Sequence, residues 1–149
     1  MRDALLAIVF TGVCWWFGTG VILWLDRQSS RSFRWSLMGW SVLLVASFWG
    51  VWQSMHSVSV ASAYLGFASV IVMWGWHELA FLTGWLTGPR KRAMSPGVRG
   101  WTRFVQACGA VLWHELALLT NLALLWWLQA EHPNHVALCT FALLWCMRL

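Results

Sequence analysis

Four runs of apolar residues, at positions 4–25, 36–55, 60–86 and 104–129, follow one another with short polar breaks between them. Each reaches the roughly 20 residues that a helix rising about 1.5 Å per residue needs to cross about 30 Å of hydrocarbon. In hydrocarbon a backbone N–H or C=O finds no water, so a spanning segment must satisfy its hydrogen bonds internally, which a helix does. With 60% hydrophobic and 10% charged residues, the chain lies outside the range of soluble domains. These features specify an all-α integral membrane protein, a polytopic helical bundle forming one domain over residues 1–149. The first run is longer than the core of a signal peptide and lacks a small-residue cleavage site, so it is expected to remain as a transmembrane helix.

A fifth apolar run, 136–147, gives about 18 Å of helix and cannot cross alone. It is expected to be a partial fifth helix, the start of one that continues in a longer chain.

The formal charge of +5 does not point to nucleic acid, because the basic residues sit in short breaks between apolar spans. Arg27, Arg31 and Arg34 lie in one break, Arg90, Lys91, Arg92, Arg99 and Arg103 in another, and Arg148 follows the fifth run; the opposite side holds Arg2 alone. By the positive-inside rule this places the two basic loops in the cytoplasm and the N-terminus in the periplasm. Arg90, Lys91 and Arg92 are expected to face anionic headgroups or a cytoplasmic partner. Cys14, Cys108, Cys139 and Cys146 form no CxxC and fall in apolar runs, where thiols behave as small hydrophobes.

The chemistry is concentrated in a repeat. "WHELAFLTG" at 76–84 and "WHELALLTN" at 113–121 agree at seven of nine positions. His77 lies about ten residues before the cytoplasmic end of the third span and His114 about ten after the start of the fourth, so both sit roughly 15 Å deep. The spans run in opposite directions, and equal depth lets the two His-Glu pairs face each other. A carboxylate at mid-membrane is unfavourable by about 2.5–3.5 kcal/mol on insertion scales. With no arginine or lysine inside the four spans, Glu78 and Glu115 require a proton, a histidine or a metal for neutralisation.

Three readings of the pairs stand open. His77, Glu78, His114 and Glu115 could ligate a metal, although there is no HExxH, since Phe81 and Leu118 occupy the i+4 positions. One imidazole, His77 or His114, could ligate the metal of a tetrapyrrole. Or the carboxyls and imidazoles could clasp the hairpin with no ligand. Of the 15 tryptophans, Trp24, Trp35, Trp85, Trp101, Trp52, Trp126 and Trp127 fall near the boundaries, as an aromatic belt requires. Trp74, Trp76 and Trp113 lie deeper, where their rings can pack or face a cofactor.

"WWFGTGVILWLDR", "FRWSLMGWSVL", "AYLGFASVIVMWGWHELAFLTGWLTGPRKR", "GVRGWTRF", "WHELALL" and "FALLWCMRL", in this order and spacing, resemble the PuhE-type photosynthetic complex assembly proteins of purple and related phototrophic bacteria. The resemblance covers nearly the whole chain and implies a multi-pass protein of the bacterial inner, photosynthetic intracytoplasmic membrane. It implies an assembly factor or accessory subunit of a reaction-centre and light-harvesting complex, with those polypeptides, pigments and the lipid bilayer as partners and no nucleic acid. It also implies that the family's paired positions are His77, Glu78, His114 and Glu115, and that members continue past "MRL" with more polar sequence. The cofactor it suggests is bacteriochlorophyll or another metal-tetrapyrrole, ahead of a bare metal ion. The rival from a different class is a membrane metal- or haem-dependent oxidoreductase using the same four residues, and a transporter is a weaker third because the other spans offer few polar residues.

Overall fold

In the computed structural model, which describes residues 1–148, five helices account for nearly the whole chain. They are α1 (Arg2–Asp26), α2 (Phe33–Met55), α3 (Val60–Leu82), α4 (Gly100–Gln129) and α5 (Val136–Arg148). The first four are long and apolar enough to cross a membrane, and the protein is a polytopic helical membrane protein. α5 is a shorter apolar helix of 13 residues.

α3 is the hub, touching α1, α2, α4 and α5. Its start is fixed by a reciprocal cap: the Ser62 N–H donates to Ser59 Oγ at 3.1 Å, and the Ser59 N–H donates to Ser62 Oγ at 2.9 Å. Its end falls at Leu82, four residues short of the boundary expected at Leu86. Gly84 adopts a left-handed φ of 77°, which a residue bearing Cβ adopts only with strain. The chain therefore turns back, and the Gly84 and Leu86 N–H groups reach the Phe81 and Ala80 carbonyls at 3.0 and 2.8 Å. An apolar run cannot reveal such a stop, because Trp85 and Leu86 continue its composition.

Lipid offers apolar side chains no reason to prefer one another, so membrane helices associate through close packing and polar contacts between small residues. The α2–α3 seam is built that way. Ser47, Gly50 and Ser54 on α2 are buried, as are Gly66 and Ser69 on α3, and a Cβ added at Gly50 would stand 2.2 Å from Ser69 Oγ. Toward the other end Trp40 lies over Gly75, its indole donating to the Val72 carbonyl at 2.9 Å, while the Trp76 indole donates to Ser41 Oγ at 2.9 Å.

α5 packs into the core through Phe141, which is fully buried and meets Trp74 edge to face at 5.5 Å between centroids. Two amides hold the approach to it. Asn134 Nδ2 donates to the Ser54 and Ser57 carbonyls at 2.9 and 3.1 Å, and the Leu138 N–H donates to Gln129 Oε1 at 2.9 Å. α1 rests on α3 with Gly18 against Ile71 and buries Ile22, leaving most of its apolar surface outward. Trp24, Trp35, Trp85 and Trp101, and Trp52, Trp126 and Trp127, are all exposed, which suits a belt against headgroups.

Candidate functional site

The two WHE motifs converge. α3 and α4 each bury their histidine, and the rings of His77 and His114 stand 6.3 Å apart at a steep angle. On α4 the buried residues His114, Leu118, Asn121, Leu125 and Gln129 fall three or four apart and form one inward stripe. Asn121, the last letter of the second motif, therefore shares the face of His114, and its Nδ2 lies 2.9 Å from His77 Nε2.

The counter-ion for the carboxylates is Arg148. Its Nε stands 3.7 Å from Glu78 Oε1, its Nη1 stands 3.5 Å from Glu115 Oε1, and Nη1 also contacts His114 Nε2. The guanidinium lies over the Phe81 ring at 5.2 Å, a favourable cation–π placement. The Trp145 indole adds a hydrogen bond to Glu115 Oε2 at 3.1 Å. One residue of α5 thus ties together both repeated motifs. Sequence reading assigned Arg148 only a place beside the basic loops, and the structure sets it among the side chains of both motifs. A helix of 13 residues runs about 20 Å, and its last residue reaches the histidines. Asn121 and Trp145 were legible only as residues of apolar helices.

Two carboxylates against one guanidinium leave one unit of negative charge, which a single proton on a carboxylate or an imidazole neutralises. The cluster is a closed ionic clasp. As placed, His77, Glu78, His114 and Glu115 do not form a metal-ligand set: among the described residues no three His, Cys, Asp or Glu side chains are grouped to hold a metal ion, and Arg148 stands between the carboxylates. The oxidoreductase reading loses its donor set with it. Nor do the histidines fit a tetrapyrrole as axial ligands. His77 and His114 are 4% and 0% exposed, their Nε2 atoms are engaged by Asn121 and Arg148, and their Nδ1 atoms are buried with no partner among the described residues. A macrocycle needs an open face beside the imidazole, and neither ring presents one. Trp74 is buried against Phe141, Trp76 is half-buried beside His77, and Trp113 is exposed on the outer face of α4.

The segment after α3 returns to the site. The His114 N–H donates to the Thr87 carbonyl at 2.8 Å and the Arg90 N–H to the Gly109 carbonyl at 2.9 Å. A Cβ at Gly88 would stand 2.2 Å from the Gly109 oxygen, so only glycine allows this approach. Arg90 Nη2 is occupied with the Ala93 carbonyl at 2.9 Å, whereas Lys91 and Arg92 are exposed. Of the three cations Arg90, Lys91 and Arg92, those two make no ion pair or side-chain hydrogen bond among the described residues and are open to headgroups or a partner.

All of residues 1–149 match the family described as "Protein of unknown function (DUF3623)". A curated relative from Rhodobacter capsulatus, "Uncharacterized 30.4 kDa protein in puhA 5'region", is 36% identical over 100% of this chain and 56% of its own length. The chain thus spans little more than half of that relative. A UPF0060 membrane protein from Rippkaea orientalis is 34% identical over 49% of this chain and 67% of its own. No solved structure matches.

Proposed function

We propose a function from the premise that this chain belongs to the DUF3623 family: it is an accessory or assembly subunit of a bacterial photosynthetic reaction-centre and light-harvesting complex, of the PuhE type. The observation that carries this reading is the position of the Rhodobacter capsulatus relative in the puhA 5′ region. In this reading the protein lies in the photosynthetic inner membrane with its N-terminus in the periplasm, and Lys91 and Arg92 at the cytoplasmic surface.

The His-Glu-Arg cluster then serves as the fastener of a scaffold. It holds α5 to α3 and α4 by charge and hydrogen bonding where apolar packing against lipid gives little preference. The outward faces of α1 and α4, rich in Trp16, Trp113, Trp126 and Trp127, dock on helices of the complex and on the pigments those helices carry. Pigment is handled at those faces, and His77 and His114 ligate none. Deleting the gene in a phototrophic host and recording near-infrared spectra of its membranes tests this. Loss of reaction-centre or antenna bands, restored by the wild-type gene, is expected; bands of unchanged height and ratio would remove the reading.

A further inference from the structure

Glu78 differs from Glu115 in a way the clasp does not explain. Glu115 accepts the Trp145 indole N–H at 3.1 Å besides facing Arg148 at 3.5 Å. Glu78 has Arg148 at 3.7 Å, an ion-pair distance too long for a hydrogen bond, and among the described residues it accepts no hydrogen bond. Its side chain is 24% exposed, and it opens into a cavity of about 380 Å³ between α1, α3 and α5. Along that cavity stand Trp15 and Thr19 from α1, Trp74 from α3, and Leu144 and Arg148 from α5. Thr83 and Thr120 return their hydroxyls to carbonyls four residues back at 2.7 Å, whereas Thr19 lines the cavity and makes no such bond among the described residues.

We infer that this cavity binds a lipid-soluble quinol, a single flat ring bearing hydroxyl groups on an apolar chain. Glu78 has its counter-ion Arg148 at 3.7 Å but no hydrogen-bond donor among the described residues, and a carboxylate facing hydrocarbon in that state is disfavoured, so an acyl chain filling the space leaves its oxygens without a donor. The occupant must bring a hydrogen-bond donor from the lipid phase, and a ring hydroxyl donates to the Glu78 carboxylate. The Thr19 hydroxyl meets a second ring oxygen, and the Trp15 and Trp74 rings give flat apolar walls. Size limits the ring count. A benzene ring occupies a cavity of about 150 Å³, so about 380 Å³ takes one substituted ring and the first part of its chain. The inference stands on the cavity alone and survives or fails independently of the photosynthetic assignment.

The test uses the whole chain in lipid nanodiscs, titrated with decyl-ubiquinol and, separately, with its dimethyl ether, which keeps ring and chain but cannot donate. Binding is read as saturable change in tryptophan fluorescence and by equilibrium partition of the titrant. The quinol is expected to saturate one site, the ether to bind at least tenfold more weakly, and Glu78→Gln and the cavity-filling Leu144→Trp each to weaken the quinol at least tenfold. Circular dichroism confirms folding of the variants, and the ether comparison on unaltered protein holds even where a variant misfolds. Equal binding of quinol and ether, or no saturable binding of the quinol, overturns the inference.

Discussion

Replacing Arg148 by methionine removes the cation from the clasp while keeping most of the side-chain volume. At an effective dielectric of about 20, unit charges at the observed 3.5 and 3.7 Å attract by about 4.7 and 4.5 kcal/mol. Most of that offsets desolvation, and the measurable consequence of stripping one partner from such a pair is about 3–5 kcal/mol. The loss arises because Glu78 and Glu115 are left charged and unpaired, so it should shrink when they are neutralised as well. In nanodiscs Arg148→Met is expected to lower the thermal midpoint by about 6–20 °C, at roughly 2–4 °C per kcal/mol. The triple variant Arg148→Met, Glu78→Gln, Glu115→Gln should regain more than half of that. A shift below about 2 °C for the single variant, or a triple variant no better than the single, would refute the view of Arg148 as the counter-ion of both motifs.

Asn121→Leu strands His77 Nε2 in a buried site, and a loss of about 1–3 kcal/mol in unfolding free energy is expected, with a near-neutral result counting against that contact. Gly50→Ala drives a Cβ to within 2.2 Å of Ser69 Oγ and should destabilise by about 1–3 kcal/mol. Adding Ser69→Ala should recover it, since Ser69 Cβ itself lies at an ordinary 3.4 Å. Gly88→Ala should lift the returning segment from α4, seen as faster hydrogen exchange at the His114 and Arg90 amides, whose bonds to Thr87 and Gly109 hold it there.

The spans were legible because hydrophobic length is a direct demand of the bilayer, and the start read at Val60 coincides with the capped start of α3. The motifs do meet, but not by the count that led there: His77 lies five residues before the end of α3 and His114 fourteen after the start of α4, where about ten from each boundary was expected. What sequence reading missed depends on where the chain turns. Gly84 ends α3 early and sends residues 87–90 back along α4, a path with no hydropathy signature. That Arg148 meets both motifs was not legible, because Glu78 and Glu115 lie 70 and 33 positions before it in sequence. Whether His77 and His114 present a free nitrogen depends on Asn121 and Arg148, residues 44 and 34 positions away in sequence, and no local pattern carries that.

The most direct measurement of the central claim is gentle affinity purification of the tagged chain from the photosynthetic membranes of its own host, with the eluate analysed by mass spectrometry and near-infrared absorption. The account predicts reaction-centre or light-harvesting polypeptides and their absorption in the eluate, and their loss with Arg148→Met. A chain that elutes free of them, from membranes whose photosynthetic complexes are intact, would contradict it.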